Sequence, residues 1–214
     1  MKWLAADTAL GACSVAVLDG ETVLAHRFEA MERGHAERLA PMVEEAMAEA
    51  GLAFATLDRL AVTTGPGTFT GQRVGLAFMR GLRVALGKPL TGVTTLAAMA
   101  AQAMAETGAA SAAALHDARR GEVYLEVAGD VVLPADILVF DDAMKELVAI
   151  GGAPALAGTA APAAAALLPG AQLSGVRQPD ALWVARLAAR MPVPEGPPKP
   201  LYLRAPDAKL PAAK

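Results

Sequence analysis

Between a short apolar run, Leu60 to Thr63, and a helix-forming run that stops near Gly87-Lys88-Pro89 stands the segment Gly65-Pro66-Gly67-Thr68-Phe69-Thr70-Gly71. No other stretch constrains the fold as much. Glycine, proline and threonine at this density require a tight turn that leaves a strand and feeds a helix N-terminus. Unpaired N–H groups and the helix dipole favour an anion at such a place. The specific nucleotide patterns are absent. Gln72, not lysine, follows Gly71, so no P-loop forms, and Thr70 stands where a GxGxxG pattern through Gly65 and Gly67 would need its last glycine. Two readings stay open: ligand contact at Gly65, Gly67 and Thr68, or turn geometry with Thr68 or Thr70 as helix cap.

The flanking elements read as strand and helix in alternation. Trp3 to Ala6 and Cys13 to Leu18 are apolar runs, Asp19-Gly20 is a hairpin turn, and Glu21 to Phe28 is the partner strand. Leu39, Met42, Val43, Ala46, Met47 and Ala50 then recur at helical spacing, with Gly51 as terminator. Pro41 is expected in the first turns of that helix, where a missing N–H costs least. A helix from about Thr70 to Leu86, a strand from Leu90 to Val93 and a helix from Thr95 to Ala105 follow. The second half reads as strands at Ala112–His116, Glu122–Val127 and Ala155–Ala157. Helices are expected at Asp141–Ala149, Ala160–Leu168 and from Asp180 to Met191, then an extended proline-rich tail. This order predicts an α/β protein with mixed sheets in two lobes, 1–106 and 107–214.

Glycines interrupt the second helix at spacings of four, Gly71 with Gly75 and Ala77 with Gly81. Each glycine costs about 1 kcal/mol in a helix interior, and close approach of another backbone is the usual compensation. The stripes at 39–50 and 71–81 therefore suit either the chain's own sheet or a second chain. A bulky charged residue at Val74 or Gly75 is expected to weaken partner binding and spare the fold.

Composition excludes several classes. Hydrophobic residues make up 54% of the 214 and charged residues 19%, which suits a folded domain. Alanine supplies much of the apolar share, so the core is built from small side chains. No run reaches the roughly 20 apolar residues of a membrane span, and Asp7 interrupts any leader-like segment, so a cytoplasmic location is expected. The single cysteine, Cys13, agrees. A net charge of −3 gives no sign of a basic face for gripping RNA alone.

The glycine segment Gly65-Pro-Gly-Thr-Phe-Thr-Gly-Gln-Arg-Val-Gly75 resembles the GPGSFTGLRIG signature of the TsaB (YeaZ) family. Asp7-Thr8, Cys13 to Val17, Arg33-Gly34-His35 with Glu37 and Leu39, Asp117 to Tyr124 and Pro200 to Arg204 extend the likeness over nearly the whole chain. Thr68, Gln72 and Ala36 depart from the usual Ser, Leu and Ser. The resemblance implies an actin-like fold (ASKHA, ribonuclease H-like). It implies a scaffold subunit of the bacterial tRNA N6-threonylcarbamoyladenosine machinery, paired with the catalytic subunit TsaD, joined by the small ATPase TsaE, and homodimeric when alone. tRNA is then reached through the complex. The implied partner surface comprises Leu39, Met42, Val43, Ala46, Met47, Gly71, Val74, Gly75 and Phe78.

An enzyme acting alone is not expected, nor a cofactor or metal. His26, His35 and His116 have no helical metal spacing, and the HxxxH of the catalytic paralogue is missing. His35, near a helix start, reads as a cap or surface residue. Asp7 occupies the place of the metal-orienting aspartate of actin-like ATPases, but Ala9 replaces the glycine that phosphate approach needs. Ile150-Gly151-Gly152-Ala153 resembles their adenosine loop and equally suits a simple turn. The alternatives are an M22-type, glycoprotease-like peptidase and an actin-like small-molecule kinase. For the first, neither Cys13 nor Ser14, Ser111 and Ser174 lies in a nucleophile pattern.

Overall fold

The computed structural model describes residues 1–204. Its first half is a three-stranded meander followed by alternating helices and strands: β1 Lys2–Asp7, β2 Ala12–Asp19, β3 Thr22–Ala30, α1 His35–Glu49, β4 Arg59–Thr63, α2 Phe69–Leu86, β5 Leu90–Val93 and α3 Thr95–Thr107. The second half repeats that order: β6 Ser111–Arg119, β7 Glu122–Gly129, β8 Leu133–Val139, α4 Phe140–Ile150, β9 Ala155–Ala157, α5 Ala161–Ala165, β10 Gln172–Leu173 and α6 Ala181–Ala188. The sheets run β3-β2-β1-β4-β5 and β10-β9-β6-β7-β8. In each, the meander pairs antiparallel and the later strands add in parallel. The architecture is the two-lobed actin-like fold.

Five layers result. α1 and α2 cover one face of the first sheet with Leu39, Met42, Val43, Met47, Leu76 and Met79. α4 and α5 cover the outer face of the second sheet. Between the sheets lie the third helices of the two halves, and they cross over. α3 packs on the second sheet and α6 on the first. Alanine makes this middle layer thin. Ala5, Ala16 and Ala61 of the first sheet face Ala181, Ala185 and Ala188 of α6. Small side chains let a helix lie close to a sheet, so total burial compensates for the modest area each alanine removes from water.

Local chemistry explains the boundaries. α1 ends in a Schellman arrangement: Gly51 has φ +65, its N–H bonds Ala48 O, and Leu52 N–H bonds Met47 O. Thr68 caps α2 by accepting from Gly71 N at 3.1 Å, and Asp180 caps α6 by accepting from Leu182 N at 2.8 Å. Three local expectations are corrected. Pro41 is the seventh residue of α1, inside the helix, on its exposed side where the carbonyl it leaves unpaired can be hydrated. α5 stops at Ala165. β8 was not expected, because Pro134 and Asp136 break its strand pattern; it is an edge strand, where proline is tolerated. No helix among the described residues is long and apolar enough to cross a membrane.

Candidate functional site

The turn between β1 and β2, Thr8 to Gly11, is where an actin-like ATPase would receive phosphate, and here it is packed from three sides. From α2, Thr68 N–H donates to Ala9 O at 2.9 Å, and Thr8 Oγ1 donates to Gly71 O at 2.7 Å. From α1, His35 Nε2–H donates to Leu10 O at 3.0 Å. From the approach to α6, Gln178 Oε1 accepts from Gly11 N at 2.8 Å. A Cβ on Gly67 would overlap Ala9 O, and one on Gly71 would overlap Thr8 O. These two glycines are thus accounted for by packing within the chain, and two N–H groups of the turn, those of Ala9 and Gly11, are already bonded. Gly65 (φ +104) is buried against the Gln72 side chain, which a Cβ there would meet at 2.7 Å, and Thr68 is exposed. Gln72, the departure from the family pattern, lies buried beneath that turn.

Asp7 stands at the end of β1, fully buried. Its Oδ1 accepts from Thr63 Oγ1 at 2.6 Å and Ala9 N at 3.2 Å, while Oδ2 has no partner among the described residues. Burial raises its pKa to about 7, against the lowering effect of those two bonds and with a small push from Asp180. Burial here disfavours the charged form that a cation would need. No group of three or more His, Cys, Asp or Glu among the described residues could hold a metal. Asp180 Oδ1 lies 2.8 Å from His26 Nε2, and this bond raises the histidine's pKa against its burial. Ser14 Oγ accepts from Ala181 N at 2.9 Å. His116 is buried with Nδ1 unpartnered among the described residues, and burial lowers its pKa to about 4. His35 is neither cap nor surface residue; it ties the turn at Leu10 to α1, a role no local pattern signals.

The residues expected at a partner surface divide. Leu39, Met42, Val43, Ala46 and Met47 lie in the core beneath α1, and Gly71 and Gly75 are buried on α2. A Cβ on Gly75 would come within 2.7 Å of Thr8 Oγ1, so a bulky residue there would disturb the fold itself. Val74 and Phe78 are half-buried at the edge of α2. Next to them, Gly81 and Ala85 are exposed, and a Cβ on Gly81 would meet nothing within 4 Å. Gly81 alone among the three interior glycines of α2 has no neighbour among the described residues to explain it.

The sequence pattern of the family described as TsaD, tRNA N6-adenosine threonylcarbamoyltransferase, matches residues 22–161. A Pseudomonas aeruginosa crystal structure, described as an uncharacterized protein with similarity to peptidase YeaZ, superposes with a TM-score of 0.83 at 33% identity, covering 95% of this chain and 99% of that one. This chain belongs to the TsaB/YeaZ family. Among TsaB proteins, that of Escherichia coli K12 is 44% identical over 124 residues, 58% of this chain, and the match spans about half (53%) of its length. The ethanolamine utilization protein EutJ of Carboxydothermus hydrogenoformans shares the fold alone, with a TM-score of 0.51 at 13% identity over 86% of this chain and 89% of that one. The TsaB/YeaZ membership covers both lobes, since the Pseudomonas match runs through both sheets.

Proposed function

We propose that this chain is a non-catalytic scaffold subunit in tRNA N6-threonylcarbamoyladenosine biosynthesis, binding TsaD and, with it, TsaE, in the cytoplasm and without a cofactor of its own. Alone it pairs with a second copy through the same surface. The relatives' names supply the process; the observation that carries the scaffold role is Gly81. A helix interior holds a glycine there at a cost of about 1 kcal/mol, and nothing among the described residues lies over it. With Val74, Phe78 and Ala85 it forms a flat strip of small and apolar groups beside α1, suited to close approach by another helix. The buried stripe residues act beneath that strip as its support.

The peptidase and kinase alternatives have less support. Cys13 is buried, and burial raises its thiol to about 12. Ser14 and Ser174 are buried and bonded to backbone. The phosphate-side turn is filled by Gly67, Gly71, His35 and Gln178.

Gly81→Glu separates the readings. It should stabilise the monomer by roughly 0.5 kcal/mol or more through helix propensity, measured by urea denaturation at a dilution where the chain is unpaired. It should weaken the complex with TsaD at least tenfold, measured by light scattering and calorimetry, and lower tRNA modification in the reconstituted mixture. A wild-type mixture that forms no complex, or a variant that binds as tightly as wild type, would refute the assignment.

A further inference from the structure

Another side of α2 gathers cations. Phe69, Arg73, Arg80 and Arg83 recur along one side of the helix, about 145° around its axis from Val74, Phe78, Gly81 and Ala85. Residues 59–105 hold five Lys or Arg (Arg59, Arg73, Arg80, Arg83, Lys88) and no Asp or Glu, whereas residues 1–58 hold four and ten. A chain of net charge −3 therefore carries a local basic strip. The tail runs antiparallel along it. Gly196 and Pro197 lie by Arg83 and Val84, Pro198 O accepts from Arg80, and Tyr202 OH accepts from Arg73 Nε at 2.9 Å. Leu201 N–H fastens the tail to Thr64 O at 2.8 Å.

Two features of the strip matter. First, the groups that orient Arg73 and Arg80 are a hydroxyl and a carbonyl, so they fix the guanidinium groups without discharging them. Arg83 and Lys199 have no ion pair among the described residues, and with Arg80 they line a cavity of about 430 Å³. Second, the strip ends in an exposed stack. The Arg73 guanidinium lies 3.3 Å over the Phe69 ring and 5.6 Å from that of Tyr202, and these rings are 58% and 45% exposed. A row of undischarged cations leading to an exposed aromatic pair matches a strand of nucleic acid, whose phosphates need cations and whose unpaired bases need a platform. A duplex offers no base face, and an acidic protein surface would use the cations and leave the stack idle.

We propose that this strip is a contact site for single-stranded RNA, with phosphates at Arg80, Arg83 and Lys199 and a base stacked on Phe69 and Tyr202. The choice of RNA over DNA rests on the function proposed above; the cation and stacking geometry does not. The test uses the full chain alone and a fluorescein-labelled, unstructured 12-nucleotide RNA, read by anisotropy between 50 and 200 mM salt, with a DNA strand and an RNA duplex of equal length as competitors. Binding should weaken with salt, and the log–log slope should shrink by about 0.7 for each phosphate contact removed in Arg83→Gln and in Lys199→Gln. Tyr202→Ala should lose about tenfold in affinity with the slope unchanged. Gly81→Glu should bind RNA as wild type does. No binding at 50 mM salt, equal competition by the duplex, or an unchanged slope in the Arg83 and Lys199 variants would overturn the site, and equal competition by the DNA strand would overturn the choice of RNA. Loss of TsaD binding in those variants, with no RNA binding at all, would make the strip a protein interface instead. Because TsaD is absent from the RNA measurement, its failure would leave the scaffold assignment standing, and failure of that assignment would leave RNA binding measurable.

Discussion

Asp7→Asn should stabilise the chain at pH 8 by about 4 kcal/mol and leave it little changed near pH 4. The carboxyl is buried, and its pKa rises from 3.8 to about 7 in the folded state. Where the folded chain holds a proton that the unfolded chain has released, stability falls as pH rises, by about 1.4 kcal/mol per unit. The stabilisation from Asp7 is thus complete below pH 3.8 and lost by about pH 7. His116 works in the opposite sense. Burial lowers it from 6.5 to about 4, so its contribution is complete above pH 6.5 and lost as pH falls toward 4. Between those limits the slopes of Asp7 and His116 oppose each other, so the native chain should show only the shallower decline that Glu126 adds. Asp7→Asn unmasks the histidine, giving stability that climbs with pH between 5 and 6.5. His116→Gln unmasks the acid, giving stability that declines over the same range. Glu126, raised by burial, and His26, raised by Asp180, both add to the decline. Urea denaturation at half-unit pH steps measures all three profiles. Asparagine keeps an acceptor for Thr63 and Ala9, so the fold is expected to survive. Parallel profiles for the native chain and Asp7→Asn would mean that Asp7 is not the buried neutral acid described.

Much of the fold was legible because its signals are local. Asp19-Gly20 specified a hairpin, the spacing from Leu39 to Met47 specified an apolar helix face, and Thr68 was one of the two candidates for the cap that it forms. β8 was hidden because an edge strand tolerates Pro134, so the usual mark of a non-strand carried no weight. The crossing of α3 and α6 between sheets was hidden too, since spacing within a helix does not say which sheet it meets. The candidate site shows the same division. The small-residue spacing of α2 predicted close approach by another backbone. That backbone is the Thr8-Ala9 turn for Gly71, a neighbour 63 residues away, and no local pattern distinguishes it from a second chain. His35 was misjudged for the same reason: its partner is the Leu10 carbonyl, 25 residues back. The proline-rich tail read as merely extended, yet its Tyr202 and Pro198 meet side chains of α2 far behind it in sequence. Residues 205–214 of the expected tail lie outside the described residues.

Gly71→Ala and Gly81→Ala are the same substitution on the same helix, and they should act in opposite directions. Helix propensity favours alanine by about 1 kcal/mol at either place. At Gly81 the added methyl meets nothing within 4 Å among the described residues, so the unpaired monomer, melted at a dilution below that of pairing, should gain about that amount. At Gly71 the methyl overlaps the carbonyl oxygen of Thr8, and that oxygen cannot swing aside cheaply. The adjacent Ala9 O already accepts from Thr68 N, and the Thr8 hydroxyl already donates to Gly71 O. The helix start would have to move off the turn, losing the Thr8 bond and opening the contact that also holds Gly67. An overpacked core position costs about 1–3 kcal/mol, and a buried hydrogen bond lost with it costs about 1 more, so Gly71→Ala should lose about 1–3 kcal/mol after its propensity gain. Thermal melting of the two variants beside the native chain reads the difference directly. Should both variants gain stability, the close seating of α2 on the β1–β2 turn would be wrong, and with it the packing that fills the phosphate side of the fold. Should both lose it, Gly81 would have a neighbour inside the chain, and the argument that its open face awaits another protein would fail.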